Sequence, residues 1–339
     1  MQAIQLLHNI LVRECPKMHA KRREALMAGV RALVRGGKLW LTALGRHVGG
    51  PVAEKHSIKR MDRLLGNRHL SAERGKVYGW LVRALAGSSP NPVILVDWSG
   101  LNKDGSLHVL RASVAVGGRA LVLYEEVHEK EGKATVHRAF LKRLSELLGS
   151  ECKPVLVTDA GFKRPWFEDV AKLGWYYVGR VRGHTKVREA QCPSWVGCKS
   201  LYARARRVPQ ALGAWLLTES APWPTQLYLY RGRSKGRVAR TAHGHRARSH
   251  KSLKNAARER EPWLLASNLT GGRGLAKRVV RLYRLRMQIE LGFRDLKTPR
   301  NGLSFREQRS TSRDRVANLL LLAALGVYVL WLKGLAAER

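Results

Sequence analysis

Five apolar runs between residues 92 and 181, VILVDWS, LHVLRASVAV, RALVLYEEV, PVLVTDAGF and WYYVGRV, restrict the fold of this chain more than any other feature. Each is short, rich in β-branched or aromatic residues and bounded by turn-forming residues, the pattern of a strand. Gly117-Gly118 sits between the second and third runs and suits a two-residue hairpin turn. Residues 136–148 and 163–172 read as helices, so the order is strand, strand, strand, helix, strand, helix, strand. That order implies a mixed sheet with helices packed on it, an α/β core whose first part covers residues 89–180. Asp97 lies near the end of the first strand and Asp159 closes the fourth.

Charge gives these acids weight. The chain has 63 Lys and Arg against 25 Asp and Glu, a net +38. This is far more than solubility requires and is expected of a partner for a polyanion. Residues 91–180 stand apart, with 13 basic and 11 acidic residues. A nearly neutral, carboxylate-richer block inside a polycation is what a divalent-cation site needs, because such ions take oxygen ligands and crowded cations would repel them.

A third acid lies further along, in the run YRLRMQIELGFRDLK. A helix over 275–297 would bring Tyr283, Arg286, Glu290 and Lys297 within an arc of about 60°, at about 100° per residue. The neighbouring arc carries Leu282, Leu285, Ile289, Phe293 and Leu296, so the helix has a core-facing side beside a polar stripe. Arg294 falls on the same polar face. A docked active-site helix and an amphipathic helix with a solvated charged face both fit this pattern.

The remaining segments frame the core. Residues 1–88 read as helical, with breaks at Gly36-Gly37 and Gly49-Gly50-Pro51. LWLTALGRHV and AEKHSIKRMDRLLG form two helices around the second break, the latter carrying Lys55, Lys59, Arg60 and Arg63. A helix-turn-helix-like DNA-binding unit is expected there; a basic helix in a bundle is the alternative. Ser88 to Pro92 is a linker. Residues 181–262 change to short aromatic and β-branched stretches between Pro, Gly and Arg clusters, a basic β-rich insertion whose distal part, RGRSKGRVARTAHGHRARSHKSLKNAARER, is too polar to order itself in isolation. EPWLLASNL returns as a strand, and residues 263–339 complete the core. The 17-residue run 316–332 approaches membrane-spanning length, but Asn318 within it and the nucleic-acid character of the rest favour a buried helix, with no membrane. The four cysteines have no framework spacing, which suits a reduced cytosolic protein, and no signal peptide is expected of the opening MQAIQLLHNILVRECPK. Cys192 and Cys198 with His243, His245 and His250 offer scattered zinc ligands, but the five-residue gap and the lack of a second pair argue against a zinc site.

Two strand-end aspartates and a helical glutamate can converge at one edge of a mixed sheet. In such an arrangement three carboxylates bind two divalent ions about 3.5 to 4 Å apart, one activating the attacking oxygen and the other stabilising the leaving oxygen of a phosphodiester. Asp97, Asp159 and Glu290 occur in the required order.

Here the sequence resembles a known family. Tyr283, Arg286, Glu290 and Lys297, with two, three and six residues between them, match the signature of the insertion sequence 4 family of bacterial DDE transposases. VDWSG around Asp97, TDAGF around Asp159 and HSIKRMDRLLGN at 56–67 are also similar. The resemblance runs from about residue 50 to 335. It implies an RNase H-like core interrupted by the β-rich insertion, and Mg2+ (or Mn2+), two ions per active site, held by Asp97, Asp159 and Glu290. It further implies cut-and-paste transposition through DNA hairpins at the element ends. Tyr283, Arg286 and Lys297 would hold DNA phosphates, with Arg294 an added candidate. Trp263, 27 residues before Glu290, takes the place of a tryptophan that stacks on a flipped base, although a core aromatic fits there too. Double-stranded DNA is the expected partner and the bacterial cytoplasm the expected location. Pairing two element ends requires a homodimer, yet the chain ends 42 residues after Lys297, before the C-terminal dimerisation segment of some relatives. An RNase H-like nuclease without strand transfer and a domesticated DNA-binding repressor are the alternatives. Three intact carboxylates near phosphate count against the repressor.

Overall fold

The structure, a computed structural model, describes residues 2–233, 238, 240, 245–300 and 302–338. Five helices open the chain: α1 (Gln2–Glu14), α2 (Ala20–Gly36), α3 (Leu41–His47), α4 (Glu54–Leu65) and α5 (Arg68–Ala86). Strands β1 (Val93–Gly100), β2 (His108–Ala115) and β3 (Ala120–His128) follow, then helix α6 (Ala134–Leu148). Next come β4 (Val155–Thr158), α7 (Arg164–Lys172), β5 (Tyr176–Val181), β6 (Lys186–Glu189), β7 (Val196–Gly197), β8 (Gln210–Leu217) and β9 (Trp223–Tyr230). The chain continues through α8 (His250–Glu259), β10 (Trp263–Ser267), α9 (Leu275–Leu285), α10 (Met287–Lys297) and α11 (Arg313–Ala337). These elements divide into two compact units, Met1–Pro154 with Arg286–Arg339, and Val155–Leu285.

In the first unit β1, β2 and β3 form an antiparallel meander in the order β3-β2-β1. The β2–β3 turn is the expected two-residue one: Gly117 and Gly118 have φ of 66° and 98°, and the Val116 N–H bonds the Arg119 carbonyl at 2.8 Å. Helix α11 is long and apolar enough to cross a membrane by length and composition, yet its side chains from Val316 to Gly326 are buried. It packs against α1, α2, α4, α5 and β3. Asn318, its buried polar residue, donates to the Leu65 carbonyl and Ser71 Oγ and accepts from Arg74, so no polar cost remains at that point of the core.

Helices α3 and α4 flank the Gly-Gly-Pro break as expected, and Lys55, Lys59, Arg60 and Arg63 are exposed along α4. Met61, Leu64 and Leu65 form its buried side. The two helices touch backbone to side at Gly45, where a Cβ would lie 2.6 Å from Ile58 Cα and 2.8 Å from Ile58 N.

The second unit is one sheet in the order β4-β5-β10-β9-β8-β6-β7, with β4 and β5 parallel and the other recorded pairs antiparallel. The basic stretch 181–262 therefore adds its strands directly to β10. Its distal part contains α8, capped by Ser249, which accepts from the Ser252 N–H at 3.3 Å. Hydrogen bonding by the cap supplies the start signal that the polar composition of this stretch obscures. Residues 234–237, 239 and 241–244, His243 among them, lie outside the described residues.

One expectation is corrected. The single helix over 275–297 is two helices, interrupted at Arg286, where the Ile289 N–H bonds the Arg286 carbonyl in a tighter three-residue turn. Neither Gly nor Pro causes the break. The apolar residues on its two sides serve different cores: Val279, Val280, Leu282 and Tyr283 are buried on α9, which contacts β4, β5, β8, β9 and β10, and Ile289, Phe293 and Leu296 on α10, which contacts β1, β2 and β3. Arg286 itself keeps right-handed helical angles, φ −52° and ψ −30°, so the interruption is confined to the hydrogen bonding of that turn.

Gly45→Ala tests the α3–α4 contact. Helix propensity alone would stabilise the variant by up to about 1 kcal/mol. The clash with the Ile58 backbone should instead cost about 1 to 3 kcal/mol, read as a lower denaturation midpoint.

Candidate active site

Alternation along β1 directs Asp97 and Ser99 to the side where α10 lies, and Trp98 to the opposite side. Trp98 Nε1 donates to His137 Nε2 at 3.0 Å, anchoring the strand to α6. Burial, and then the nearby His128, push the His137 pKa down to about 4, so its imidazole is neutral near pH 7 and can accept that bond.

On the α10 side, one cation joins two of the expected acids. Arg286 Nη1 is 2.8 Å from Glu290 Oε1 and 3.4 Å from Asp97 Oδ2, while Asp97 Oδ1 accepts the Trp98 N–H at 2.9 Å. Asp97 is 8 % exposed, whereas the Glu290 side chain is 42 % exposed, so the pair opens to solvent on the helix side. Arg111, opposite Asp97 in register on β2, is buried and pairs with Glu125 of β3 at 2.7 Å. Phe293 lies 4.7 Å from its guanidinium. One more turn along α10, Lys297 Nζ donates to Ser99 Oγ at 2.5 Å and to the Gly100 carbonyl at 3.0 Å. Burial chiefly, then Arg306 and Arg111, push its pKa down to about 8, against the opposing pull of Asp97 and Glu131. Arg294 is exposed, with Nε 3.9 Å from Asp295.

The second unit holds the other expected residues. Asp159 follows β4 directly and its Oδ1 accepts the Gly161 N–H at 2.7 Å, which fixes the turn into α7. Tyr283 on α9 is buried, with its ring edge-on to Trp263 at 4.9 Å. Trp263, at the start of β10, is half-buried and also meets Tyr230 at 5.7 Å. The break at Arg286 thus assigns Tyr283 to an aromatic cluster, and Arg286, Glu290 and Lys297 to the carboxylate cluster.

Several participants escaped the sequence reading. Arg111 had a signal, a lone arginine in the otherwise apolar run LHVLRASVAV, but its place beside Asp97 depends on the β1–β2 register. Ser99 lies within VDWSG, which drew attention only for Asp97, while Phe293 and Tyr230 had no signal that separates them from ordinary core and strand residues.

Asp97 and Glu290 already share a cation, and their hard oxygen donors suit Mg2+ or Mn2+. Among the described residues no three His, Cys, Asp or Glu side chains gather into a metal-binding group. Of the scattered zinc candidates, Cys198 is buried and donates to the Gly183 carbonyl, and His243 lies outside the described residues.

Asp97 and Glu290 thus share the Arg286 guanidinium, near Arg111 and Lys297, in a chain of net charge +38. Residues 88–330 match the family model of the transposase DDE domain, and the chain belongs to that family. No curated protein matches it. It is therefore a DDE transposase, in a class of DNA-cleaving enzymes that work on DNA with divalent metal ions.

Lys297 gives a pH test. Its folded pKa lies below the ordinary 10.5, so between about 8 and 10.5 the unfolded chain holds the proton that the folded chain has released. This lysine therefore contributes a rise in stability as pH increases through that window. Lys297→Met should remove that part of the rise, seen by comparing denaturant midpoints of variant and wild type at pH 7.5 and 10.

Proposed function

We propose that the chain is a hairpin-forming, cut-and-paste transposase of the insertion sequence 4 type, acting in the bacterial cytoplasm as a homodimer on the terminal inverted repeats of its element. The observation that carries this reading is the shared contact of Arg286 with Asp97 and Glu290, three residues of the motifs that suggested the family. The β1–β3 meander with Asp97 on its first strand, and Asp159 at the end of a strand that pairs in parallel, support an RNase H-like core with residues 181–262 as its insertion.

In this reading Asp97, Asp159 and Glu290 would hold two Mg2+ or Mn2+ ions, which would supply activation of the attacking oxygen and charge stabilisation of the leaving oxygen of a phosphodiester. Arg286 balances the carboxylates and turns toward phosphate. Lys297, moored to Ser99 and the Gly100 carbonyl, presents a largely protonated ammonium at neutral pH. Tyr283, expected to hold a DNA phosphate, is buried against Trp263, the indole that receives a flipped base. Exposed Arg294 adds a phosphate contact, and Lys55, Lys59, Arg60 and Arg63 on α4 engage the element end. Strand transfer to target DNA uses the same carboxylates.

Asp97→Asn, Asp159→Asn and Glu290→Gln should each abolish strand cleavage in Mg2+ and leave binding to the element end equal or slightly tighter, because a repulsive charge is lost. Cleavage by any of them near the wild-type rate would remove that acid from the site.

Trp263→Ala should slow hairpin formation by about one to two decades and spare the first nick, given about 1 to 3 kcal/mol of base stacking. Equal slowing of both steps, with a lower melting temperature, would make Trp263 a core residue only.

A further inference from the structure

We infer that the exposed face of α9 is a contact surface for the sugar-phosphate backbone of DNA, separate from the motif residues. Lys277, Arg281 and Arg284 recur at spacings of four and three residues, within about 60° of one face at about 100° per residue. All three are exposed, and Arg278 flanks them. The opposite side, Val279, Val280, Leu282 and Tyr283, is buried, which fixes the cationic side outward.

Three features separate this stripe from an ordinary solvated helix face. First, no Asp or Glu occurs between Glu261 and Glu290, so the helix has none of the alternating acids that make exposed helices self-paired. Among the described residues Lys277, Arg278 and Arg281 have no ion-pair partner. Second, Arg284 is held in place without an acid: its guanidinium lies 5.2 Å from the Tyr230 ring centre and Nη2 donates to the Tyr230 hydroxyl at 2.6 Å. An arginine fixed by an aromatic ring keeps its full charge for an outside anion and loses little side-chain freedom on binding. Third, the stripe is about 10 Å long at about 1.5 Å per residue, close to three nucleotides of one strand at about 3.4 Å each. Tyr230 in turn packs on Trp263, so phosphates bound by this face would pass beside the indole.

The inference rests on the reading of the chain as a DNA-acting enzyme, and the test keeps the two apart. The full chain and its K277Q/R281Q/R284Q variant are titrated onto a labelled random-sequence duplex between about 50 and 200 mM salt. Each lost phosphate contact should make the slope of log affinity against log salt shallower by about 0.9, about 2.7 for the triple variant. R281K/R284K keeps the charges and should keep the slope. K133Q/K142Q/K153Q removes three exposed charges from the near-neutral block and should leave it unchanged. If the triple variant is unfolded by circular dichroism, the single variants are read instead, each expected to shift the slope by about 0.9. An unchanged slope in folded α9 variants, or an equal change in the control triple, overturns the inference. DNA cleavage by the wild-type chain is scored separately: its absence with a steep, α9-dependent slope would overturn the transposase mechanism and leave this surface standing.

Discussion

The burial of α11 is the constraint on which the first unit depends. A helix apolar on nearly every side cannot remain in water, and here it is covered by α1, α2, α4 and α5 and by β3. It is a core around which the amino-terminal helices and the edge of the meander assemble. Its polar residue, Asn318, reads the end of α4 through the Leu65 carbonyl and the start of α5 through Ser71 and Arg74. Those bonds fix the position of the helix bearing Lys55, Lys59, Arg60 and Arg63.

Within that frame the site is an exercise in charge balance. Asp97 sits opposite Arg111 on β2, and Arg111 is itself neutralised by Glu125, so the pair buries its charges with little excess. A buried ion pair is weak evidence for stability, because the desolvation of both ions offsets their attraction. Its consequence here is local: Phe293 covers Arg111, and Lys297 Nζ lies 5.6 Å from the centre of the same ring. The packing that holds α10 on the meander therefore also brings a partly dehydrated lysine to the strand that carries Asp97. The Arg286 contact then joins the start of the helix to that strand.

The second unit uses a different device. There the aromatic rings of Tyr230, Trp263 and Tyr283 form a cluster at the junction of β9, β10 and α9, and Arg284 caps it through Tyr230. Aromatic side chains contribute broad apolar area while leaving edges and faces available, which suits a surface that must be rigid and still meet a base or a guanidinium. The polar stripe read from YRLRMQIELGFRDLK thus separates into an aromatic part and a carboxylate part.

Much of this was legible in the sequence, because strands, hairpin turns and apolar helices are specified by local periodicity. The five runs from VILVDWS to WYYVGRV are strands, Gly117-Gly118 is a two-residue turn, and VANLLLLAALGVYVLWL is a core helix. The contact between Arg286 and Glu290, 2.8 Å apart, follows from their spacing of four residues. Three things were decided by tertiary structure. The interruption at Arg286 separates α9 and α10, which bury their apolar sides against different strands, a division that local propensity does not record. The strands of the basic stretch join the sheet through β9 and β10, a pairing set by long-range register. The partners of the site, Arg111 beside Asp97, Ser99 under Lys297 and Tyr230 under Arg284, are neighbours across strands and helices, and contacts between residues distant in the chain leave no periodic trace in the sequence.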